Sequence, residues 1–418
     1  MKRIQPCQAI EGKIVPPSDK SIFHRALLFN GMAMGRSVIE YNGLSKDVIS
    51  SISCMKKLGA KIRVGEREIE VFGLKKWRGG TLHCGNSATT MRLLAGMLAG
   101  RGVKAKLIGD SSLSARPMDR IQIPLAEMGG NISSNTGRAP LSIAPATLTG
   151  KSIRMAVNSA QVKSALLLAG LSATGTTEVV EKIPTRNHTE NMLKQMGASL
   201  VVNGESIKVQ RGELSPLDIC LPGDVSSASY FIALGVLCGK IEVEDTLLNE
   251  RRIGFLNALK RMGAKIEMEV KAEVGGEKKG RIIAKKSKLT PLCLREEEVP
   301  SLVDEIPLLA IVCAFAEGES RLCGLNELRY KESNRLEEVE KLLLALGGKC
   351  HVDGDDLIVE GKPLVGGNYS SSDHRLTMTA SVALCASERG GCLDGEKSVE
   401  ISFPRFFEEL ALVGGKVE

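Results

Sequence analysis

Hydrophobic and polar positions along the chain repeat in a phrase of about seven residues. An amphipathic run ends in an apolar residue, a glycine follows, and a short apolar stretch comes next. The phrase reads KKLGAKI ending at Ile62, AEMGGNI at Ile132, KQMGASL at Leu200, KRMGAKI at Ile266, LALGGKC at Cys350 and ALVGGKV at Val417. Its first glycines are Gly59, Gly129, Gly197, Gly263, Gly347 and Gly414, spaced by 70, 68, 66, 84 and 67 residues. Each phrase predicts a helix closed by a left-handed glycine cap and followed by a strand. Pro117 and Pro404 are expected to mark the starts of two of these helices, with Pro117 in a first turn. Six such phrases at nearly constant spacing predict an internal repeat.

A second class of helix is expected midway between the glycines, rich in Ala, Leu, Gly and Ser. Its members are Ser21–Met32, Thr89–Ala99, Ala160–Leu171, Ser226–Cys238, Ile306–Ala316 and His374–Ala386. Several are apolar nearly all round and should be buried on most sides. Each repeat then holds a buried helix, an exposed helix and several strands, an α/β arrangement. Three repeats precede the Leu221-Pro222-Gly223-Asp224 turn and three follow it, so that turn is the expected crossover between two similar lobes.

Composition narrows the picture modestly. At 418 residues and 43% hydrophobic content the chain can build two cores. Eleven cysteines without a C-x-x-C pair argue against a disulfide framework or a zinc site. The first residues hold no apolar run of a secretory signal, and the apolar stretch Leu376–Ala386 is too short to span a bilayer, so a cytoplasmic protein is expected. The net charge of +7 fits an anionic ligand, while 3% aromatic residues make nucleic acid a poorer match.

The polar motifs cluster at the starts of the buried helices: Pro17–Arg25, Gly85–Arg92, Asn158–Lys163, Val303–Glu305 and Ser372–Arg375. Two more, Ala115-Arg116-Pro117 and Lys331–Arg335, are expected to open helices of the exposed class. Helix capping is the simplest account of Ser18, Asp19, Asn86, Ser372 and Asp373 taken singly; for Asp304 ahead of Pro307, capping and a functional role fit the spacing about equally. Capping does not explain Lys20, Arg25, Arg116, Lys331, Arg335 and Arg375, because a cation near a helix N-terminus opposes the macrodipole. A bound phosphate or carboxylate would resolve that conflict. Among the acids, Asp304 and Glu332 could serve as proton acceptors beside these cations, and Glu305 reads as a solvated or ion-paired neighbour. Of the histidines only His374, inside a basic motif, is kept as a candidate; His24, His83, His188 and His351 have no partner pattern and read as packing or surface residues.

Taken in order, Asp19-Lys20-Ser21 with Arg25, Asn86–Arg92, Arg116-Pro117, Lys331-Glu332-Ser333 with Arg335, and Asp373-His374-Arg375 resemble the 5-enolpyruvylshikimate-3-phosphate synthase family over essentially the whole chain. The resemblance implies a two-lobed inside-out α/β barrel of six βαβαββ repeats, with lobes at 14–222 and at 1–13 plus 223–418. The chain would begin in the second lobe, build the first and return, and buried-helix N-termini of both lobes would face one cleft. It implies transfer of the enolpyruvyl group of phosphoenolpyruvate to the 5-hydroxyl of shikimate 3-phosphate, by a monomer with small-molecule substrates, no metal and no organic cofactor. Carried over by position, Lys20, Ser21, Arg25, Ser159, Ala160, Gln161, Arg186, Asp304 and Lys331 would bind shikimate 3-phosphate. Lys20, Asn86, Ala88, Thr89, Arg116, Gln161, Arg335 and Arg375 would bind phosphoenolpyruvate. Asp304, Glu332 and Lys20 would move protons.

Ser159–Ser164 and Thr185–Thr189 resemble the bacterial subgroup poorly inhibited by glyphosate, and Ala88 stands where sensitive members have Gly. Asn334 replaces a usual Asp, and Ile401 falls where many members place a Lys. Two other functions are compatible with the repeats: enolpyruvyl transfer to UDP-N-acetylglucosamine, and a non-catalytic basic repeat protein binding phospholigands or RNA. The first usually has a reactive Cys near Arg116, and Gly109–Ser114 contains none.

Overall fold

A computed structural model describes residues 1–418 apart from Gln8. The six phrase glycines all have φ between 82° and 111°, the left-handed region that a side chain would strain. They follow helices Lys46–Leu58, Asp119–Glu127, His188–Gln195, Gly254–Arg261, Arg335–Ala345 and Phe406–Leu412. A strand comes next in five cases; after Gly414 there is only an isolated antiparallel bridge between Val417 and Ile4.

The buried class comprises Lys20–Met32, Ala88–Gly100, Ala160–Gly170, Val225–Cys238, Ile306–Cys313 and His374–Ala386. The fifth ends three residues earlier than expected. Its last amides, on Ala314, Phe315 and Ala316, bond three residues back, which tightens the end out of α geometry. Pro117 is not in a first turn. The residue before a proline is driven to an extended conformation, and Arg116 has φ −78° and ψ 147°, so the chain straightens there and the helix begins only at Asp119. Pro404 likewise precedes its helix, which begins at Phe406.

Six sheets accompany the helices, and each begins with a parallel pair. In the second repeat, Gly80–His83 pairs in parallel with Ala105–Ile108 across the Ala88–Gly100 helix, and Arg138–Ala144 and Asn131–Asn135 complete the sheet antiparallel. Two sheets recruit their first strand from far along the chain: Ile219–Cys220 lies parallel to Arg36–Glu40, and Ile10–Ile14 lies parallel to Gly239–Leu247. The sixth sheet takes Lys2–Ile4 as its antiparallel strand against Gly391–Asp394.

The described residues divide into two compact units. The first lobe comprises Ser18–Leu221 with Val274–Glu277, and the second comprises Met1–Pro17, Pro222–Glu273 and Lys278–Glu418. Each is a three-repeat α/β unit whose buried helices pack on one another. In the first lobe Ala88–Gly100 lies so close to Ala160–Gly170 that a Cβ on Gly96 would fall 2.1 Å from the Ala165 carbonyl oxygen, which is why glycine stands there. In the second lobe one continuous apolar core runs through Val225–Cys238, Ile306–Cys313 and His374–Ala386. No helix among the described residues is long and apolar enough to cross a membrane.

Candidate active site

In the first lobe the motifs gather where three buried helices begin. Asp19 caps Lys20–Met32 by accepting a hydrogen bond from the Ile22 amide at 2.9 Å. That cap sets Lys20 as the first helical residue, and its Nζ lies 2.9 Å from Asp47 Oδ2. Ser18 is not a cap, because its hydroxyl accepts from the Asn42 amide instead. Arg25 is buried one turn further along. Its guanidinium donates to Thr189 Oγ1, the Ser21 carbonyl and Ser164 Oγ at 2.7–2.9 Å. Burial lowers its pKa to about 10, so it remains a cation at neutral pH. His24 is wholly buried, with Nδ1 2.8 Å from Ser51 Oγ, and burial pushes its imidazole down to about 3.

Ser87, not Asn86, caps Ala88–Gly100. Asn86 is left to join two charged groups: its amide donates to Asp110 at 2.8 Å and its carbonyl accepts from Arg116 Nη2 at 2.8 Å. Arg116 itself closes the one-turn helix Ser111–Ala115 and does not open a helix, so it escapes the dipole conflict expected of it. Ala88 is the first helical residue after the cap and is 6% exposed. Thr89 Oγ1 accepts from Gln161 Nε2 at 2.9 Å, Gln161 Oε1 accepts from Arg92 Nη1 at 2.7 Å, and Arg92 donates on to the Pro117 carbonyl. This chain ties the second and third helix starts together through Arg92, which carried no assigned role.

Ser159 caps Ala160–Gly170. Within that helix Lys163 is wholly buried between Glu181, at 3.0 Å, and Glu190, at 2.7 Å. Glu181 in turn accepts from the Thr185 amide and hydroxyl, which pins the loop carrying Arg186. Lys163 and Glu181 therefore hold Thr185, the residue before Arg186. A buried lysine cannot be told from a surface one in a single motif, which is why sequence reasoning passed over the pair.

In the second lobe the chemistry centres on Asp304. Its Oδ1 lies 3.4 Å from Lys331 Nζ and 3.6 Å from Arg335 Nη1, and its Oδ2 lies 3.8 Å from Arg375 Nη2. Of the two alternatives for Asp304, the cap does not hold: Glu305 occupies the cap position, and Asp304 faces cations. Lys331 closes a 3-10 turn, Asn326–Tyr330, instead of opening a helix, while Arg335 and Arg375 do sit at helix starts. Arg335 is 1% exposed and held by Asp373 at 2.8 and 3.2 Å and by Glu332 at 2.6 Å. Asp373, not Ser372, caps His374–Ala386. Burial works against the charge on Arg375, but Asp304, Tyr230 and Glu305 outweigh it and hold its pKa well above the ordinary arginine value.

Asn334 stands at the cap of Arg335–Ala345 without a side-chain cap bond, and its Oδ1 has no hydrogen-bond partner among the described residues. Ile401 ends the 3-10 turn Glu396–Ile401 and is part-exposed. His374 is buried with Nδ1 3.9 Å from Asp373 Oδ1. His188 pairs with Glu277 at 2.8 Å, whereas His83 and His351 are exposed.

These groups suit anion chemistry. Each lobe carries cations held rigid by carboxylates or amides, and in the second lobe a carboxylate stands among three of them. Such a set can orient phosphates and carboxylates, stabilise a leaving phosphate and accept a proton.

The family model for EPSP synthase (3-phosphoshikimate 1-carboxyvinyltransferase) matches residues 4–410. The chain is 42% identical over 417 residues to the 3-phosphoshikimate 1-carboxyvinyltransferase of Desulfitobacterium hafniense, with 97% of this chain and 96% of the relative covered. It is 40% identical over 427 residues to that of Thermodesulfovibrio yellowstonii, covering 98% and 99%. A solved EPSP synthase from Acinetobacter baumannii superposes with a TM-score of 0.89 at 35% identity, covering 100% of this chain and 99% of the other. By family model, by full-length relatives and by fold, the chain belongs to the EPSP synthase (3-phosphoshikimate 1-carboxyvinyltransferase) family.

Proposed function

We propose that this chain transfers the enolpyruvyl group of phosphoenolpyruvate to the 5-hydroxyl of shikimate 3-phosphate and releases phosphate. The observation that carries the residue assignment is Asp304, a carboxylate 3.4–3.8 Å from Lys331, Arg335 and Arg375. The hydroxyl oxygen attacks C2 of phosphoenolpyruvate and C3 gains a proton; the tetrahedral intermediate then loses a C3 proton and expels phosphate, which restores the C2–C3 double bond. Asp304 takes the hydroxyl proton. Lys20 and Glu332 serve the other proton transfers.

In this reading Ser21, Arg25, Ser159, Ala160, Gln161, Arg186 and Lys331 hold shikimate 3-phosphate together with Lys20 and Asp304. Asn86, Ala88, Thr89, Arg116, Gln161, Arg335 and Arg375 hold phosphoenolpyruvate with Lys20. A cytoplasmic location fits diffusible phosphorylated substrates. The deciding assay is phosphate release from phosphoenolpyruvate with each acceptor offered separately. Release with shikimate 3-phosphate and none with UDP-N-acetylglucosamine supports the reading; the reverse rejects it.

The reading extends to inhibition by glyphosate, which is longer than phosphoenolpyruvate. Ala88 adds a methyl at a helix start where ligand and backbone approach closely, and a clash there excludes the inhibitor while sparing the substrate. Ala88→Gly is expected to tighten glyphosate inhibition, measured in competition with phosphoenolpyruvate, by roughly 10- to 200-fold, the usual reach of one methyl group in a pocket. A wild-type enzyme already inhibited as tightly as Gly-bearing relatives would remove the case for the clash.

A further inference from the structure

The last residues of two sequence motifs, Ser159–Ser164 and Thr185–Thr189, meet inside the first lobe. Ser164 Oγ lies 2.6 Å from Thr189 Oγ1, and both residues are wholly buried. Helix capping uses neither of them: Ser159 caps Ala160–Gly170, and Thr189 lies inside His188–Gln195. The chain around the pair is anchored, because Lys163 Nζ lies 2.7 Å from Glu190 Oε1 and so joins the neighbours of Ser164 and Thr189.

Both hydroxyls accept from Arg25. Its Nε donates to Thr189 Oγ1 at 2.7 Å and its Nη2 to Ser164 Oγ at 2.8 Å. A hydroxyl has one hydrogen to give. Ser164 donates its own to the Ala160 carbonyl at 2.6 Å, so Thr189 donates to Ser164. The hydrogen bonds then run one way, from Arg25 through Thr189 and Ser164 to Ala160, and each polarises the next. With the Ser21 carbonyl accepting from Nη1, all three guanidinium nitrogens are held, and every one of these partners is a neutral oxygen. Arg335 differs, since carboxylates of Asp373 and Glu332 hold it. A planar guanidinium fixed at three nitrogens by neutral acceptors has one orientation and keeps its charge for an external anion.

We propose that Thr189 and Ser164 are positioning residues that aim Arg25 at the acceptor substrate and tie its orientation to the helix start at Ala160. The proposal rests on the reading that Arg25 binds shikimate 3-phosphate. Thr189→Val keeps the shape and removes the hydroxyl, whereas Thr189→Ser keeps the hydroxyl. Calorimetry of shikimate 3-phosphate with the purified enzyme is expected to show about tenfold weaker binding to the Val variant and near-wild-type binding to the Ser variant. KM for phosphoenolpyruvate at saturating shikimate 3-phosphate is expected to stay unchanged. In an Arg25→Ala background Thr189→Val should weaken binding no further, because the hydroxyl acts through the guanidinium. A merely structural hydroxyl would cost the same affinity in both backgrounds. A loss that persists without Arg25 overturns the proposal, and so does unchanged binding in Thr189→Val. If Thr189→Val does not fold, Ser164→Ala, which removes the acceptor of Nη2, takes its place in the same cycle. Arg25→Ala binding shikimate 3-phosphate as tightly as the wild type rejects the role of Arg25 itself, and the proposal falls with it. A wild-type enzyme that does not bind shikimate 3-phosphate rejects the substrate reading.

Discussion

Replacing Asp304 by Ala is expected to lower kcat by about 10²–10⁴-fold, the usual contribution of a general base, with substrate binding retained. The argument runs through the three cations around it. Lys331, Arg335 and Arg375 lie 3.4–3.8 Å from its oxygens, so the carboxylate form that a base requires is favoured by its surroundings. Removing that negative charge strips these cations of a shared counter-ion, and an anionic ligand should bind as well as before or better. Asp304→Asn separates charge from shape and is expected to behave like the Ala variant in turnover. Steady-state kinetics with both substrates, together with calorimetric binding of shikimate 3-phosphate, decide the point. Near-normal turnover with lost affinity would leave Asp304 a binding residue only and remove it as the base.

Local features were legible in the sequence because they have local causes. The glycines at 59, 129, 197, 263, 347 and 414 were readable as helix ends because positive φ favours glycine, and all six adopt it. The buried helices were readable because a segment apolar on every side has no face to offer water. Strand order was not readable. That Ile219–Cys220 joins Arg36–Glu40, or that Ile10–Ile14 joins Gly239–Leu247, depends on pairing across some 180 to 230 residues, which leaves no periodic trace. The site divides in the same way. Its cations stood out by type and position, but which polar residue caps a helix and which one holds a cation did not. Ser, Asn and Asp serve either purpose, so capping accounts for Asn86 on sequence although Ser87 supplies the cap, and spacing alone leaves Asp304 open between a cap and a partner of Lys331, which it faces.

Asp373 shows what that ambiguity concealed, and it carries the largest expected effect on stability. Asn334, at the cap of Arg335–Ala345, makes no side-chain cap bond, which raises the question of what steadies Arg335. The structure answers with Asp373: two hydrogen bonds to the Arg335 guanidinium at 2.8 and 3.2 Å, both side chains 1% exposed, with Ser333 donating to the same carboxylate at 3.0 Å. The same carboxylate caps His374–Ala386 by accepting from the Arg375 amide at 2.9 Å. Asp373→Ala removes both functions and leaves Arg335 buried beside only Glu332 and Asp304. Breaking a buried ion pair from one side costs about 3–5 kcal/mol, to which the lost cap adds about 1 kcal/mol. Asp373→Asn keeps a competent cap, so its loss should be the smaller. Burial raises the carboxyl pKa of Asp373, but Arg335 and then His374 outweigh it and hold it below the ordinary value. A carboxylate whose folded pKa is depressed contributes stability that is fully present above the unfolded value, about 3.9, and is lost as pH falls through the folded value. Wild-type stability should therefore fall below about pH 4, and Asp373→Asn should lack that component of the fall. Urea unfolding at pH 7 and down the acid range measures both effects, and phosphoenolpyruvate KM, expected to rise in both variants, reports whether Arg335 has lost its orientation. An Asp373→Asn protein with wild-type stability and an unchanged acid profile would mean that Glu332 and Asp304 hold Arg335 without it.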